Sequence, residues 1–276
     1  MAARPEIVKE YEETEKEYMK IYEQYCDQME KLTKQMEALT CRRAYGKEGT
    51  LHRGYYCPSP IHEIVIGNCK RGRLLTKLRK NSTYDFEYCF DKEDRLILIK
   101  DYANEISKGY HVSSEVLLYS GDCVLGLEYG VSLAQLDHIS RCFYSGDGIK
   151  RYETVSISHF EDEIACCDIE TETYMYEDSR LRSCRMEWYH FIMNFLSGEM
   201  KYDFHYDEAG DMDSYVATEY RDREERLDVS NRGHVYEVKK PGVKGKKDIV
   251  AAESRITNTG GDCGSTKCGA IDFHGW

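Results

Sequence analysis

The chain has 276 residues, of which 41% are apolar and 32% are charged, so it is long enough to bury a core beneath a well-charged surface. Its formal charge of −12 disfavours nucleic-acid binding, because a surface that contacts phosphates is usually basic. An acidic surface instead attracts basic partners, although many cytosolic proteins are acidic for solubility alone. Tyrosine is abundant, with 23 copies, and its ring suits half-buried strand positions and interfaces.

The N-terminal sequence predicts a cytoplasmic protein. Residues 1–5 lead directly into a charged segment rather than a secretion signal. No apolar run approaches the roughly 20 residues that span a bilayer, so we expect no membrane association. The 12 cysteines are scattered and several lie inside apolar runs, from which we expect reduced, mostly buried thiols.

Residues 5–41 predict one long amphipathic helix. Pro5 suits the first turn of a helix, and the glutamates that follow favour its positive end. Apolar side chains then recur at alternating spacings of four and three, at Tyr18, Tyr22, Tyr25, Met29, Leu32, Met36 and Leu39. Such a stripe is explained either by packing on the chain's own domain or by a coiled coil through which the chain self-associates.

Residues 42–62 predict a loop, because glycines and prolines interrupt any regular pattern there. A metal site in this region is disfavoured, because the spacing matches no closed framework for the available residues, which are His52, Cys57, His62 and Cys69. Residues 61–66 predict a short apolar strand. The basic residues between Lys70 and Lys80 are expected to be solvated charges of a turn and an edge strand rather than an anion site.

A succession of β-hairpins is predicted from Thr83 onwards. Apolar runs are followed twice by Tyr-Ser-Gly-Asp, at 119–122 and 144–147, which is the pattern of a hairpin tip. Looser versions occur at 90–94, 176–179 and 206–210. The predicted strand pairs are 116–119 with 124–129, 139–144 with 149–157, 171–176 with 181–188, and 202–206 with 215–218.

The predicted fold class is α+β, mainly β. A long N-terminal amphipathic helix at 1–45 precedes a hairpin-rich globular domain at 46–238, whose strands form a meandering antiparallel sheet. Residues 186–196 are compatible with either a strand or a short helix. The last residues, 239–276, are rich in lysine, glycine and serine, and predict a disordered, flexible tail.

The sequence contains none of the motifs that dictate a reaction, such as a nucleophile elbow, a phosphate-binding glycine loop or a His-Glu-x-x-His helix. We therefore assign no catalytic, cofactor-binding or metal-ligating residue, and expect no cofactor. Acidic residues and tyrosines cluster at the predicted turns, where the carboxylates are expected to be solvated. The candidate partner-binding residues are Tyr119, Asp122, Tyr144, Asp147, Glu161, Asp162, Glu163, Tyr176, Tyr206, Asp207, Asp211 and Asp213. Glu170 and Glu172 belong to the same group of turn carboxylates.

The hairpin unit has an aromatic-x-aromatic start, an acidic turn, then Arg-Leu and an apolar return strand. Two examples are Tyr88-Cys89-Phe90-Asp91-Lys92-Glu93-Asp94-Arg95-Leu96 and Tyr174-Met175-Tyr176-Glu177-Asp178-Ser179-Arg180-Leu181. This unit resembles the tyrosine-aspartate hairpin repeats of bacterial Rhs-type polymorphic toxin systems, and the chain resembles the small acidic immunity proteins encoded beside such toxins. The resemblance covers about residues 83–218. It implies a bacterial, non-enzymatic protein that binds a toxin domain and blocks it by occlusion.

Two other classes of protein remain open from the sequence. One is an enzyme of the hydrolase type, whose site would combine scattered carboxylates and histidines; it requires one carboxylate in a cleft with a raised pKa. The other is a scaffold that assembles through residues 5–41. The first hypothesis is a protein-binding module whose acidic, tyrosine-rich surface covers a basic partner.

Overall fold

The computed structural model describes residues 5–78, 83–102, 111–146, 148–160, 163–190, 196–221 and 234–237. Two helices and a short strand come first: α1 at Pro5–Tyr25, α2 at Met29–Leu39 and β1 at Arg42–Lys47. A connecting segment contains a single 3-10 turn at Gly54–Tyr56 and the one-turn helix α3 at His62–Val65. The remaining strands are β2 (Arg73–Leu74), β3 (Phe86–Phe90), β4 (Leu96–Asp101), β5 (Ser113–Ser120), β6 (Cys123–Gly130), β7 (Gln135–Ser145), β8 (Gly148–Phe160), β9 (Glu163–Glu177), β10 (Arg180–His190), β11 (Leu196–Tyr206), β12 (Met212–Arg221) and β13 (His234–Glu237).

The described strands form one antiparallel sheet in which sequence neighbours pair from β3 to β13, and β1 and β2 extend the β3 edge. The predicted hairpins are confirmed: β5 pairs with β6, β7 with β8, β9 with β10, and β11 with β12. The mainly antiparallel class follows from local signals, because two-residue periodicity and turn residues recur along the chain.

This meander fixes which turns lie together. Because successive antiparallel strands reverse direction, the turns β3–β4, β5–β6, β7–β8, β9–β10 and β11–β12 all lie at one end of the sheet. We call this the tip end. The opposite end, where β6–β7 and β8–β9 connect, is the far end. Alternation of side chains along each strand then decides which residues of a tip share a face.

The apolar stripe predicted one long helix, but the N-terminal segment forms two helices, α1 and α2. The chain turns at residues 26–28, where the Gln28 N–H donates to the Tyr25 carbonyl, and α2 ends at Leu39. Asp27 is a weak helix former, and the turn lets α1 pack against β7 and β9 while α2 packs against β3, β4 and β5. The stripe itself could not reveal the break, because its spacing continues through it.

The stripe is covered by the sheet. Tyr18 is fully buried, and Leu32 and Met36 are nearly so, in one core with residues of β4 to β10. The interpretation that this amphipathic segment packs on its own domain is therefore confirmed. The coiled-coil alternative loses its basis, because most of the stripe is unavailable to a second chain. We call this side of the sheet the helix face.

The other side of the sheet packs against residues 48–66 and is called the loop face. Its core contains Ile61, Phe86, Tyr88 and residues of every strand from β3 to β12. Residues 61–66 were predicted as a strand, but they form α3 instead. The Ser59 hydroxyl accepts the backbone N–H groups of Ile61 and His62 at 3.3 Å and so starts the helical turn. One turn is too short for helical periodicity to show in the sequence.

The sequence left residues 186–196 open as either a strand or a short helix. Residues 186–190 form the end of strand β10. The predicted disordered tail at 239–276 lies outside the described residues. The ten cysteines among the described residues are free thiols, and five of them are buried. No helix in the described ranges combines the length and apolar character that crossing a bilayer requires.

Candidate functional site

The four candidate tyrosines form a row on the loop face at the tip end. Tyr119, Tyr144, Tyr176 and Tyr206 each lie at or beside the last residue of β5, β7, β9 and β11. Each lies two positions after a core residue of the loop face, and these are Leu117, Cys142, Tyr174 and Phe204. Since strands lie about 4.8 Å apart, alternate strands place these rings about 10 Å from one another. We call the four residues the tyrosine row.

All four rings of the row are partly exposed, and two of them are held in place by hydrogen bonds of their hydroxyls. Tyr119 and Tyr144 are 40% and 43% exposed, and Tyr176 and Tyr206 are half-buried. The Tyr119 hydroxyl donates to the Leu96 carbonyl at 2.8 Å, and the Tyr206 hydroxyl donates to the Leu181 carbonyl at 2.7 Å. These bonds, made to a neighbouring hairpin in each case, reduce the rotamer freedom that partner binding would otherwise remove.

The acidic turn residues are only partly brought together. Asp122 is exposed near Tyr119. Asp207 and Asp211 lie in the β11–β12 turn and Asp213 lies near the start of β12, with no basic residue between them in the sequence. The Asp211 N–H donates to the Asp207 carboxylate at 2.9 Å, which shapes that turn. A groove of about 490 Å³ lies between this turn and the β9–β10 turn.

Arginines interrupt the acidic surface elsewhere in the tip end. The Arg95 guanidinium lies 5.3 Å from the Tyr119 ring centre, and Arg180 lies 5.8 Å from that of Tyr206. Both distances are within the range of cation–π attraction. The tip end is therefore mixed in charge, and Arg180 also lies against Gly210 of the acidic β11–β12 turn.

The three consecutive acidic candidates, Glu161, Asp162 and Glu163, are not placed beside the tyrosine row. Glu161 and Asp162 lie outside the described residues, as does Asp147. Glu163 begins β9, and the β8–β9 connection belongs to the far end of the sheet. The prediction from the sequence grouped all turns together. In a meander, however, successive turns lie at opposite ends of the sheet, one strand length apart.

Glu170 and Glu172 were expected to be solvated, but both lie within β9 and this expectation is wrong. The Glu172 side chain is 2% exposed, and it accepts hydrogen bonds from Ser59 at 2.7 Å and from the Tyr174 hydroxyl. The His62 Nε2 atom lies 2.6 Å from its other oxygen. Burial raises the pKa of Glu170, which the neighbouring Glu172 raises further.

A second polar region, which the sequence did not reveal, surrounds a cavity on the loop face. The cavity has a volume of about 410 Å³ and lies towards the far end of β3 to β6. Its lining includes His52, Arg53, Asp101, Glu115 and Glu128. These residues come from the connecting segment and from three strands, so no sequence spacing unites them.

The centre of this polar region is a fully satisfied network. Arg53 donates three hydrogen bonds to Glu115, at 2.6 to 3.0 Å, and a fourth to the Ser140 hydroxyl at 2.8 Å. Gly126 lies between these groups, and a Cβ atom there would overlap the Glu115, Ser140 and Arg53 side chains. A glycine inside the predicted strand 124–129 was the one signal of such a close approach.

Three titratable groups in this region have displaced pKa values. Burial would raise the pKa of Glu115, but Arg53 and His52 hold it far below its usual range. Burial, reinforced by the charge of Glu115, raises the pKa of Glu128. Burial and the neighbouring His52 lower the pKa of His138 to about 3, so this imidazole is neutral. The region therefore combines charged and neutral polar groups around one cavity.

No protein-family model matches the chain, and comparison with curated proteins yields no significant relative.

Proposed function

We propose that this chain is a non-enzymatic protein-binding module of the immunity or antitoxin type, which occludes a basic partner protein. The observation that carries the proposal is the tyrosine row, which displays four aromatic rings on one face and at one end of the sheet. In the cell such a protein would act in the bacterial cytoplasm, as the resemblance of its hairpins to Rhs-type systems implies.

The row has the dimensions of an interface. Six strand spacings separate Tyr119 from Tyr206, so the row extends over about 30 Å. Tyrosine supplies rigid apolar area together with a polar tip, and is enriched among the residues that dominate binding energy. The carboxylates of the β11–β12 turn would steer a basic partner towards one end of this row.

Affinity purification of the natively expressed protein at low salt, followed by mass spectrometry, tests the proposal. We expect one basic protein, released as the salt concentration rises, because exposed charges are screened within about 10 Å at 0.1 M salt. Tyr144→Ala removes one of the two inner rings of the row. It should weaken binding of the partner about tenfold, as measured by titration calorimetry with the purified partner.

Met175→Ala provides the matched control. Met175 is 65% exposed and neighbours Tyr176 in β9, but alternation places it on the opposite face. This variant should bind like the wild type. Recovery of the protein without a partner, or equal binding by Tyr144→Ala, contradicts the proposal.

The cavity supports a second candidate function, that of a hydrolase. Such an enzyme requires a carboxyl group that stays protonated in a cleft, and Glu128 has a raised pKa and lines the cavity beside His52. A screen against ester and phosphoester substrates would test this function. Turnover by the wild type that is lost in Glu128→Gln would support the hydrolase function. Absence of turnover by the wild type would count against it and in favour of the protein-binding module.

A further inference from the structure

We propose that His52, Glu128 and His138 form a binding site for one divalent first-row transition-metal cation, with Zn²⁺ as the reference ion. The three side chains come from the connecting segment, β6 and β7. Of the Cys/His set for which the sequence disfavoured a metal site, only His52 takes part, and the other two ligands come from the sheet. The proposal rests neither on the tyrosine row nor on the hydrolase function.

The geometry of the three ligand atoms carries the inference. One nitrogen of each histidine and one oxygen of Glu128 all lie within 4.8 Å of one another. The Glu128 Oε2 atom lies 3.7 Å from His52 Nε2 and 3.8 Å from His138 Nδ1. These separations are too long for hydrogen bonds. Two ligands of one tetrahedral Zn²⁺, with bonds of about 2.1 Å, lie about 3.4 Å apart, so a small inward movement completes the site.

One imidazole nitrogen is unsatisfied without such an ion. His138 Nδ1 is buried and makes no hydrogen bond within the described ranges. His52 Nε2 is also buried, and the Glu115 Oε2 atom lies 3.2 Å from it. Because a buried polar atom without a partner is destabilising, a cation bound between the three side chains would supply the partner that His138 Nδ1 lacks.

The groups behind the ligands hold them in the orientation that a metal requires. The Tyr152 hydroxyl lies 2.5 Å from His52 Nδ1, on the side of the ring away from the site. The Ser113 hydroxyl donates to Glu128 Oε1 at 2.7 Å and leaves Oε2 directed at the histidines. Metal-binding histidines and carboxylates are commonly fixed by such contacts to their second heteroatom.

The charges around the site also suit a cation. The adjacent Glu115 is paired with Arg53, whose Nη2 atom lies 2.6 Å from Glu115 Oε1. Glu128 would then supply an anionic ligand and the two histidines neutral ones, a donor set that Zn²⁺ accepts. Since His52 and Glu128 line the cavity, a fourth coordination position could face the cavity and be filled by water or by a ligand.

The competing explanation is a polar core in which His52 pairs with Glu115, whose Oε2 atom lies 3.2 Å from His52 Nε2. That contact leaves His138 Nδ1 without a partner. The two explanations differ in one measurable respect, because only the metal site requires His138 and Glu128 for cation binding.

Calorimetric titration of the metal-stripped full chain with Zn²⁺, and absorption spectroscopy with Co²⁺, test the proposal. We expect one strong site per chain and a Co²⁺ spectrum of nitrogen and oxygen ligands without a thiolate charge-transfer band. Glu128→Gln and His138→Gln should each bind at least about tenfold more weakly. His205→Gln, which alters an exposed histidine of β11, should bind like the wild type.

A measurement on the wild-type chain covers the case in which these variants fail to fold. Crystals soaked in Zn²⁺ should give an anomalous-scattering peak between His52, Glu128 and His138. A thiolate band with Co²⁺, unchanged binding in both site variants, or a zinc peak found only at cysteines or on the surface would overturn the proposal.

Discussion

Arg53 and Glu115 form a buried ion pair that fastens the connecting segment to the centre of the sheet. The Arg53 Nε atom contacts both carboxylate oxygens, at 3.0 and 2.9 Å, and both side chains are only 4% exposed. Arg53 has a backbone φ of 61°, a left-handed conformation that is uncommon for residues with a side chain. The pair therefore holds the chain in a conformation that its backbone alone would not favour.

Arg53→Gln should destabilise the protein by about 3–5 kcal/mol, because it leaves the buried Glu115 carboxylate without its counter-ion. Urea unfolding followed by circular dichroism measures this change. Arg42→Gln is the matched control, since the Arg42–Asp94 pair is also formed at 2.7 Å but its side chains are 46% and 71% exposed. Its loss should cost no more than about 1 kcal/mol. Equal effects of the two substitutions would show that the buried pair has no special role.

Gly126→Ala should destabilise the protein by about 1–3 kcal/mol, the usual cost of overpacking a filled interior. The added methyl group would collide with Glu115, Ser140 and Arg53, which cannot move without breaking their hydrogen bonds. Gly67→Ala is the control, because its methyl group would meet no atom within 4 Å. Thermal unfolding of the two variants distinguishes the effects, and a Gly126→Ala protein as stable as Gly67→Ala would refute the close approach.

The strands and their pairing could be predicted because their signals are local. The aromatic alternation at 84–90 and the two Tyr-Ser-Gly-Asp turns specify strand and turn within a few residues of one another. The side-by-side position of the four tyrosines follows from the same pattern once the strands are known to meander. Helix α3 and the break at 26–28 were missed, because each involves too few residues to alter a periodic pattern.

The polar network could not be predicted, because its members are distant in sequence. Arg53 and Ser140 are separated by 87 positions. Glu115 lies within β5, directly before its apolar run Val116–Leu118, and has no local feature that marks it as buried. Only the fold decides that a charge inside a strand faces Arg53 rather than solvent, so reasoning from the sequence placed carboxylates such as Glu172 on the surface.

The buried pair of His62 and Glu172 should make stability depend on pH. Burial alone would lower the pKa of His62, but its contacts with Cys57 and Glu172 outweigh burial and raise the pKa to about 10. Because this value lies above the unfolded value of about 6.5, the contribution is fully present below about pH 6.5. It should decline as the pH rises and be lost once the pH passes the folded-state value.

The difference in unfolding free energy between the wild type and His62→Gln measures this contribution. We expect a difference on the order of 3 kcal/mol near pH 6 that shrinks steadily towards pH 10. Other groups that titrate in this range affect both proteins and cancel in the comparison. A difference that stays constant between these pH values would mean that His62 is not charged in the folded protein.

On the helix face, Tyr18 joins α1 to the largely buried ion pair of Arg141 and Glu153. Its hydroxyl donates to Glu153 at 2.6 Å and accepts from the Arg141 Nε atom at 3.0 Å. Tyr18→Phe keeps the packed ring but removes both bonds, so it should cost about 1.5–3 kcal/mol, the value for hydrogen bonds to charged groups. Tyr55→Phe, at a ring that is 41% exposed, should change stability by less than about 0.5 kcal/mol. If Tyr18→Phe were equally harmless in urea unfolding, apolar packing of its ring alone would account for the position of α1.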